Sequence, residues 1–161
     1  MKSFAFLKTV IFGILLILLQ VTAVHFIAIE NIVPFIPILP LVYYTLLNGQ
    51  IFGTISGAII GLLFDIISGG LFGGGMLALS TAGFITGYFY GENKIDINTR
   101  SFWFIVYLFT ATFVYSFLYA SLSSNNPNIT FLSLIIFEGL MPAVYTSIIG
   151  TLFYLFISKR D

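Results

Sequence analysis

The sequence has no cysteine, a single histidine and very little charge, with six basic and six acidic residues in 161. The absence of cysteine excludes thiolate catalysis, disulfide bonds and cysteine-ligated zinc. Charged residues make up 7% of the chain, against roughly 25% in soluble domains, so they are too few to cover a globule in water. The chain is instead 59% hydrophobic and 18% aromatic, with a mean hydropathy of +1.09. This composition predicts an integral membrane protein.

Long apolar runs divide the chain into six predicted transmembrane helices joined by short loops. The runs cover residues 10–29, 33–47, 50–67, 71–91, 101–122 and 131–157. The first run is too long for the apolar core of a secretory signal peptide and lacks a convincing cleavage site, so we interpret it as an uncleaved span. Because each span takes about 20 residues, we predict one membrane domain over residues 1–161, without room for a soluble catalytic or nucleotide-binding domain.

The basic residues predict how these helices are oriented. Lysine and arginine near the ends of spans are retained on the cytoplasmic side. With six spans and a cytoplasmic N-terminus, every base lies inside, namely Lys2, Lys8, Lys94, Arg100, Lys159 and Arg160. A five-span arrangement would place some of them outside. The expected fold is therefore an all-α integral membrane protein with six transmembrane helices, short loops and both termini cytoplasmic.

Glycine recurs every four residues in the third predicted span and less regularly in the fourth. The positions are Gly49, Gly53, Gly57, Gly61, Gly75, Gly83 and Gly87. Four residues advance about 400° around a helix, so the third span carries a slowly rotating stripe without side chains, which Asp65 ends. Such stripes let helix backbones approach closely in lipid. Two interpretations stay open: spans three and four pack together within the chain, or one groove receives a transmembrane helix of a partner protein.

Three ionisable residues, His25, Asp65 and Glu138, fall within or at the outer edge of predicted spans. Such groups are costly in lipid and suggest function by default, as a proton relay, a cation site or a polar binding site. A purely structural role is the favoured alternative, because no metalloprotease, paired-carboxylate or Ser/His/Asp pattern accompanies them. We predict no catalytic residues, no metal site and no cofactor. The six dispersed bases form no basic stripe, so we expect no nucleic-acid partner.

The order of these features resembles the family of the bacterial rod shape-determining protein MreD. The resemblance rests on Leu19-Gln20 late in the first span, PLVY at 40–43, and the glycine string that ends in GLLFD at 61–65. The glycine-rich turn at 68–75 and the glycines Gly83 and Gly87 also fit. The resemblance is strongest over residues 15–91. It implies a multi-pass protein of the bacterial cytoplasmic (inner) membrane.

The resemblance also implies a function and partners. The expected role is a non-enzymatic scaffold of the cell-wall elongation machinery, which binds the single-span protein MreC and helps regulate peptidoglycan synthesis and cell shape. Further implied partners, direct or indirect, are the MreB filament, a RodA-type glycosyltransferase with its transpeptidase, and membrane lipid. The implied fold is similar to the substrate-binding subunits of energy-coupling-factor transporters. A small-molecule binding subunit or carrier, with His25, Asp65 and Glu138 lining an outward-facing pocket, is therefore the alternative function.

Overall fold

The computed structural model describes residues 2–22, 32–92, 95–123 and 131–158. Helices and the turns between them account for these residues, and no strand occurs among them, which confirms the all-α prediction for this part of the chain. The helices are α1 (Lys2–Thr22), α2 (Ile38–Asn48), α3 (Gln50–Ser68), α4 (Gly74–Gly87), α5 (Ile95–Arg100), α6 (Trp103–Ser123), α7 (Phe131–Ser133) and α8 (Met141–Ser158). A π-helical segment, Leu134–Leu140, joins α7 to α8.

Within the described ranges, three helices are long and apolar enough to cross a membrane. They are Gln50–Ser68, Trp103–Ser123 and Phe131–Leu152. Shorter apolar helices occupy Leu7–Thr22 and Ile38–Asn48. Apolar helices that could enter a membrane are therefore present, whereas the number of crossings and the side on which the termini lie stay predictions.

Three helices begin at least three residues away from the predicted start of their span. Helix α1 begins at Lys2 rather than at residue 10. Helix α2 begins at Ile38 rather than at residue 33, because the residues before Pro34 and Pro37 are disfavoured from helical backbone. Helix α4 covers 14 residues, or about 21 Å, since a turn with left-handed backbone at Gly69 and Gly73 delays its start.

The short helix α2 lies at the centre of the bundle. Seven of its 11 residues are buried, and it contacts α1, α3, α4 and α6. At about 16 Å in length, α2 does not reach across a hydrocarbon core of about 30 Å. Its buried side chains, including Ile38, Leu41, Val42 and Leu46, instead form the core of the bundle.

Long helices that follow one another in the chain run antiparallel, which gives the bundle two distinct ends. We call one the Asp65 end: it gathers the C-terminal ends of α1, α3 and α6 and the N-terminal ends of α2 and α4. Contacts of Gly75 with Asp65 and of Phe35 with Tyr115 lie there. We call the other the α5 end, where Gly87 packs against Gln50. The Asp65 end corresponds to the predicted outer side of the membrane.

Candidate functional site

Helices α3 and α4 pack backbone to backbone along their two glycine stripes. A Cβ added at Gly53 would lie 2.6 Å from the carbonyl oxygen of Gly83, and one at Gly57 would lie 2.9 Å from the carbonyl carbon of Leu79. Gly61 faces the backbone of Gly75 in the same way. Real Cβ atoms do not come this close to a backbone atom, so α4 fills the groove of α3 and leaves no space there for a helix from another protein.

Gly49 and Gly87 have different surroundings from the middle of the stripe. Gly49 separates α2 from α3 and has a φ of +94°, a conformation that other residues rarely adopt. The ring of Tyr90 lies 3.3 Å from the position of its missing Cβ. Gly87 packs against Gln50 at the start of α3. Both glycines thus belong to the α5 end, where they allow tight turns and close contact.

Asp65 is 2% exposed and is bound to the N-terminus of α4. One carboxylate oxygen accepts hydrogen bonds from the amides of Gly73 (2.9 Å) and Met76 (3.1 Å), and the other accepts one from Gly75 (2.9 Å). These amides have no acceptor within their own helix, and the positive end of the helix dipole favours a carboxylate. Asp65 is therefore committed to joining α3 and α4.

The segment before α2 is not helical, and two side chains from other helices bind its backbone. Gln20 donates to the carbonyl oxygen of Pro34 (2.7 Å) and accepts from the amide of Ile36 (3.1 Å). The hydroxyl of Thr146 accepts from the amide of Phe35 (3.0 Å). Irregular backbone at membrane depth is tolerated where protein groups satisfy it, so these bonds hold the segment between α1 and α8.

A cavity of about 370 Å³ opens beside this segment at the Asp65 end. Its walls come from α1, α6, the π-helical segment, α8 and the non-helical segment before α2, together with one side chain of α3. The lining residues used below are Gln20, Phe35, Phe64, Tyr115, Tyr119 and Glu138. The cavity is at the lower end of the range of small-molecule sites.

Four aromatic rings form a continuous cluster in the cavity wall. Phe35 stacks on Tyr115 with ring centroids 4.1 Å apart and meets Phe64 edge to face at 5.1 Å. Tyr119 stacks on Tyr115 at 5.8 Å and contacts Phe64 at 6.1 Å. The rings come from three different parts of the chain, so this wall exists only when the segment before α2, helix α3 and helix α6 are packed together.

The π-helical segment places Glu138 at the cavity. Pro142 has no amide hydrogen to donate to the carbonyl of Glu138, four residues earlier, and its ring crowds that carbonyl. The backbone widens here, and the amide of Met141 donates to Ile136, five residues earlier. Segments of π-helix occur frequently at functional sites. Pro142 thus gives a local reason for the irregular backbone that carries this carboxyl group.

The structure does not bring Asp65 and Glu138, two of the three ionisable candidates, together. Glu138 lines the cavity, Asp65 does not line it and binds the N-terminus of α4, and His25 lies outside the described residues. Sequence reasoning did not single out Gln20, Tyr115, Tyr119 or Thr146 as site residues. Gln20 could have been found from the sequence, because a lone side-chain amide in an apolar helix requires a polar partner. The tyrosines could not, since aromatic residues are common throughout the chain.

A second cavity, of about 600 Å³, lies at the α5 end between the turn after α4 and helices α5 and α6. Tyr88, Tyr90, Glu92, Asn98 and Tyr107 are among its lining residues. The Tyr107 hydroxyl is 3.3 Å from the Asn98 side-chain oxygen, and the Tyr107 ring stacks on Phe89 at 4.5 Å. This cavity also combines aromatic rings with a carboxyl group.

Within the described residues, no group of three or more histidine, aspartate or glutamate side chains could hold a metal ion. The fold and the cavities define a class of protein: a small helical bundle with apolar helices of membrane-crossing length, an internal glycine-packed helix pair and an aromatic cavity at one end. Comparison with protein families makes the assignment specific. The family of the rod shape-determining protein MreD matches residues 1–159, so the chain belongs to the MreD family. Among curated proteins and solved structures, nothing matches this chain.

Membership of the family establishes a membrane protein with a role in determining rod shape. The match extends over the second half of the chain as well as the first. The resemblance found in the sequence was strongest over residues 15–91, so the family comparison carries the assignment through the π-helical segment and α8.

Proposed function

We propose that this protein is a non-enzymatic scaffold subunit of the cell-wall elongation machinery, which binds the single-span protein MreC and through it helps to regulate peptidoglycan synthesis. The family match over residues 1–159 carries the proposal. MreB filaments, a RodA-type glycosyltransferase and its transpeptidase are the further components that the scaffold connects, directly or indirectly. The large apolar side chains exposed on α1, α3 and α4, such as Leu15, Ile51 and Leu77, suit contact with lipid or with a partner helix.

The arrangement of the glycines supports a refined view of partner binding. Because α4 occupies the groove of α3, the glycine stripe stabilises the subunit, and the partner helix binds another face. A Gly57→Leu substitution would then abolish partner binding only by disrupting the α3–α4 pair. Loss of binding in a Gly57→Leu protein that remained folded would contradict this view and would indicate that the partner helix binds in the groove of α3.

Co-purification from the native membrane tests the scaffold proposal. The full chain carrying a small affinity tag should retain the single-span MreC protein, and depletion of the chain should convert rods into round cells. Gly150→Ala, a substitution away from the α3–α4 contact, is the matched control and should retain the partner. Rods that persist after depletion, or isolation of the folded chain without MreC, would contradict the proposal.

We further propose that the chain crosses the membrane six times, with the α5 end in the cytoplasm and with α2 and the non-helical segment before it together making the second crossing. The separation of charge supports this topology, because Lys8 and Arg100 belong to helices at the α5 end by chain position, while Asp65 and Glu138 lie at the other end. The chain has no native cysteine, so single cysteines can be introduced cleanly. Ser68→Cys should react with an impermeant reagent from outside, and Ile97→Cys only from inside. Labelling of both from one side would exclude the six-span arrangement.

A further inference from the structure

Glu138 is an exposed carboxyl group within an apolar helical stretch. It belongs to Phe131–Leu152, which is long and apolar enough to cross a membrane, and its side chain is exposed. Among the described residues, none provides a hydrogen bond or ion pair to it. A carboxyl group at membrane depth is costly unless it is paired or hydrated. Its surroundings therefore call for a complementary group that the described residues do not provide.

The cavity beside Glu138 has the surface that favours a cation. The faces of aromatic rings carry negative partial charge and attract ammonium and guanidinium groups. The cluster of Phe35, Phe64, Tyr115 and Tyr119 presents several rings within about 6 Å of one another. The side chains of Gln20 and Ser116 also line the cavity and add polar atoms at its edge. An anion would meet aromatic rings and a carboxyl group, so these walls disfavour it.

The lysines and arginines of the chain belong, by chain position, to the end of the bundle opposite Glu138. Every basic residue lies in or next to a segment at the α5 end: at the start of α1, next to or within α5, or directly after α8. The Asp65 end holds the carboxyl groups of Asp65 and Glu138, and no lysine or arginine lies there among the described residues. None of the lysines or arginines in the described residues is therefore placed to pair with Glu138, and His25 lies outside the described residues.

We propose that the 370 Å³ cavity at the Asp65 end binds an ammonium group, with Glu138 as its ionic partner and the Phe35, Phe64, Tyr115 and Tyr119 cluster as its aromatic wall. The ammonium group belongs either to the headgroup of an amine-containing phospholipid or to a small free amine. Both fit the cavity chemically, and the experiment separates them. This site does not depend on the scaffold proposal, because ligand binding is measured on the isolated chain without MreC.

Native mass spectrometry of the detergent-purified full chain provides the test. The protein is titrated with phosphatidylethanolamine, with phosphatidylglycerol of the same acyl chains, and separately with free ethanolamine and choline. Wild-type protein should retain phosphatidylethanolamine over phosphatidylglycerol if a lipid supplies the ammonium group. If a soluble molecule supplies the ammonium group, the protein should instead retain free ethanolamine or choline. An excess of the other amine should then displace the retained one.

Variants locate the binding. Glu138→Gln should lower the apparent affinity for the retained amine by about tenfold, as expected for loss of one ionic partner near ring faces. Tyr119→Leu should lower it by a smaller factor. Glu92→Gln is the matched control, because Glu92 lines the cavity at the other end, and its affinity should equal that of the wild type. Thermal unfolding of each variant verifies that the fold is kept.

Two results would overturn the proposal. One is wild-type protein that binds neither phosphatidylethanolamine above phosphatidylglycerol nor either free amine. The other is a folded Glu138→Gln protein whose affinity for the amine equals that of wild type, or falls no further than that of Glu92→Gln. Failure of MreC co-purification alongside intact amine binding would reject the scaffold and keep this site, and the reverse pattern would reject only the site.

Discussion

Two antiparallel helix pairs in this protein pack in opposite ways. In the α3–α4 pair, glycines bring backbone against backbone, as at Gly53 and Gly83. Where α6 packs against the π-helical segment and α8, side chains stand between the helices: a Cβ added at Gly139 would lie 3.0 Å from the ring of Phe113, and one at Gly150 would meet the side chain of Leu108. The first pair has no space for a ligand. The second pair, widened by the π-helical segment, borders the cavity.

The comparison teaches how a small membrane protein can separate stability from binding. Close backbone contact in α3–α4 yields the van der Waals packing on which association in lipid depends, and Asp65 fastens the two helices at one end. The pair built on side chains tolerates irregular backbone and a cavity beside it. The ionisable residue at the tight pair is buried and bonded, whereas the one at the looser pair is exposed.

The largest expected effect comes from adding one methyl group to the tight pair. Gly57→Ala places a Cβ against the backbone of Leu79, which cannot move without separating the helices, and should reduce the free energy of unfolding by about 3 kcal/mol. Gly150→Ala is the matched control, since its Cβ meets the end of the buried Leu108 side chain and not backbone, and should cost less, about 1 kcal/mol. Unfolding by dodecyl sulfate in mixed micelles measures both. Equal losses would show that the two pairs pack alike.

The second effect concerns the bond between Asp65 and the N-terminus of α4. Asp65→Asn keeps the size of the side chain but turns an NH₂ group toward amide hydrogens that now have a carboxylate. We expect a loss of about 2 kcal/mol in the same unfolding assay. The matched substitution in the other pair, Glu138→Gln, should leave unfolding unchanged because Glu138 is exposed. A greater loss from Glu138→Gln than from Asp65→Asn would reverse the roles assigned to the two acids.

A third, smaller effect tests the hydrogen bond between Thr146 and the segment before α2. Thr146→Val removes the acceptor for the buried amide of Phe35 and should cost about 1 kcal/mol. Thr112→Val is a close control, because Thr112 is equally buried and its hydroxyl bonds only to Leu108 in its own helix. The unfolding midpoint of Thr146→Val should be lower than that of Thr112→Val. If Thr112→Val were the more destabilising variant, the bond between Phe35 and Thr146 would contribute little to stability.

The smallest effect on stability should come from Pro142→Ala. The substitution restores an amide hydrogen and removes the ring that crowds the carbonyl of Glu138, so stability should stay within about 1 kcal/mol of wild type or rise. The backbone can then approach α-helical geometry, which turns Glu138 relative to the cavity and should weaken amine retention in native mass spectrometry. A stable Pro142→Ala protein with unchanged amine retention would separate the π-helical segment from binding.

Much of the helical fold was predictable from local sequence. The glycine-striped span predicted over residues 50–67 corresponds to α3, which ends at Ser68, because hydropathy and glycine turns are properties of neighbouring residues. The start of α2 was predicted too early, since the effect of Pro34 and Pro37 on the preceding residues was given too little weight. The π-helical segment was not predicted, although Pro142 marked an interruption of the last span.

The site was less predictable, because its members are far apart in the chain. His25, Asp65 and Glu138 were grouped only by their chemistry, and the structure gives Asp65 and Glu138 different surroundings. The hydrogen bond between Phe35 and Thr146 joins residues 111 positions apart. No pattern within one helix encodes such a contact.

The sequence by itself determined that this is an apolar helical membrane protein of the MreD family, with its lysines and arginines confined to three short segments. Those conclusions depend on composition, periodicity and order, which a linear sequence contains in full. Only the tertiary structure decided that α4 fills the groove of α3, that Asp65 binds the amides of α4, and that aromatic rings from three segments line a cavity next to Glu138. Each of these depends on which surfaces meet after folding, and packing between distant segments is a property of the whole bundle.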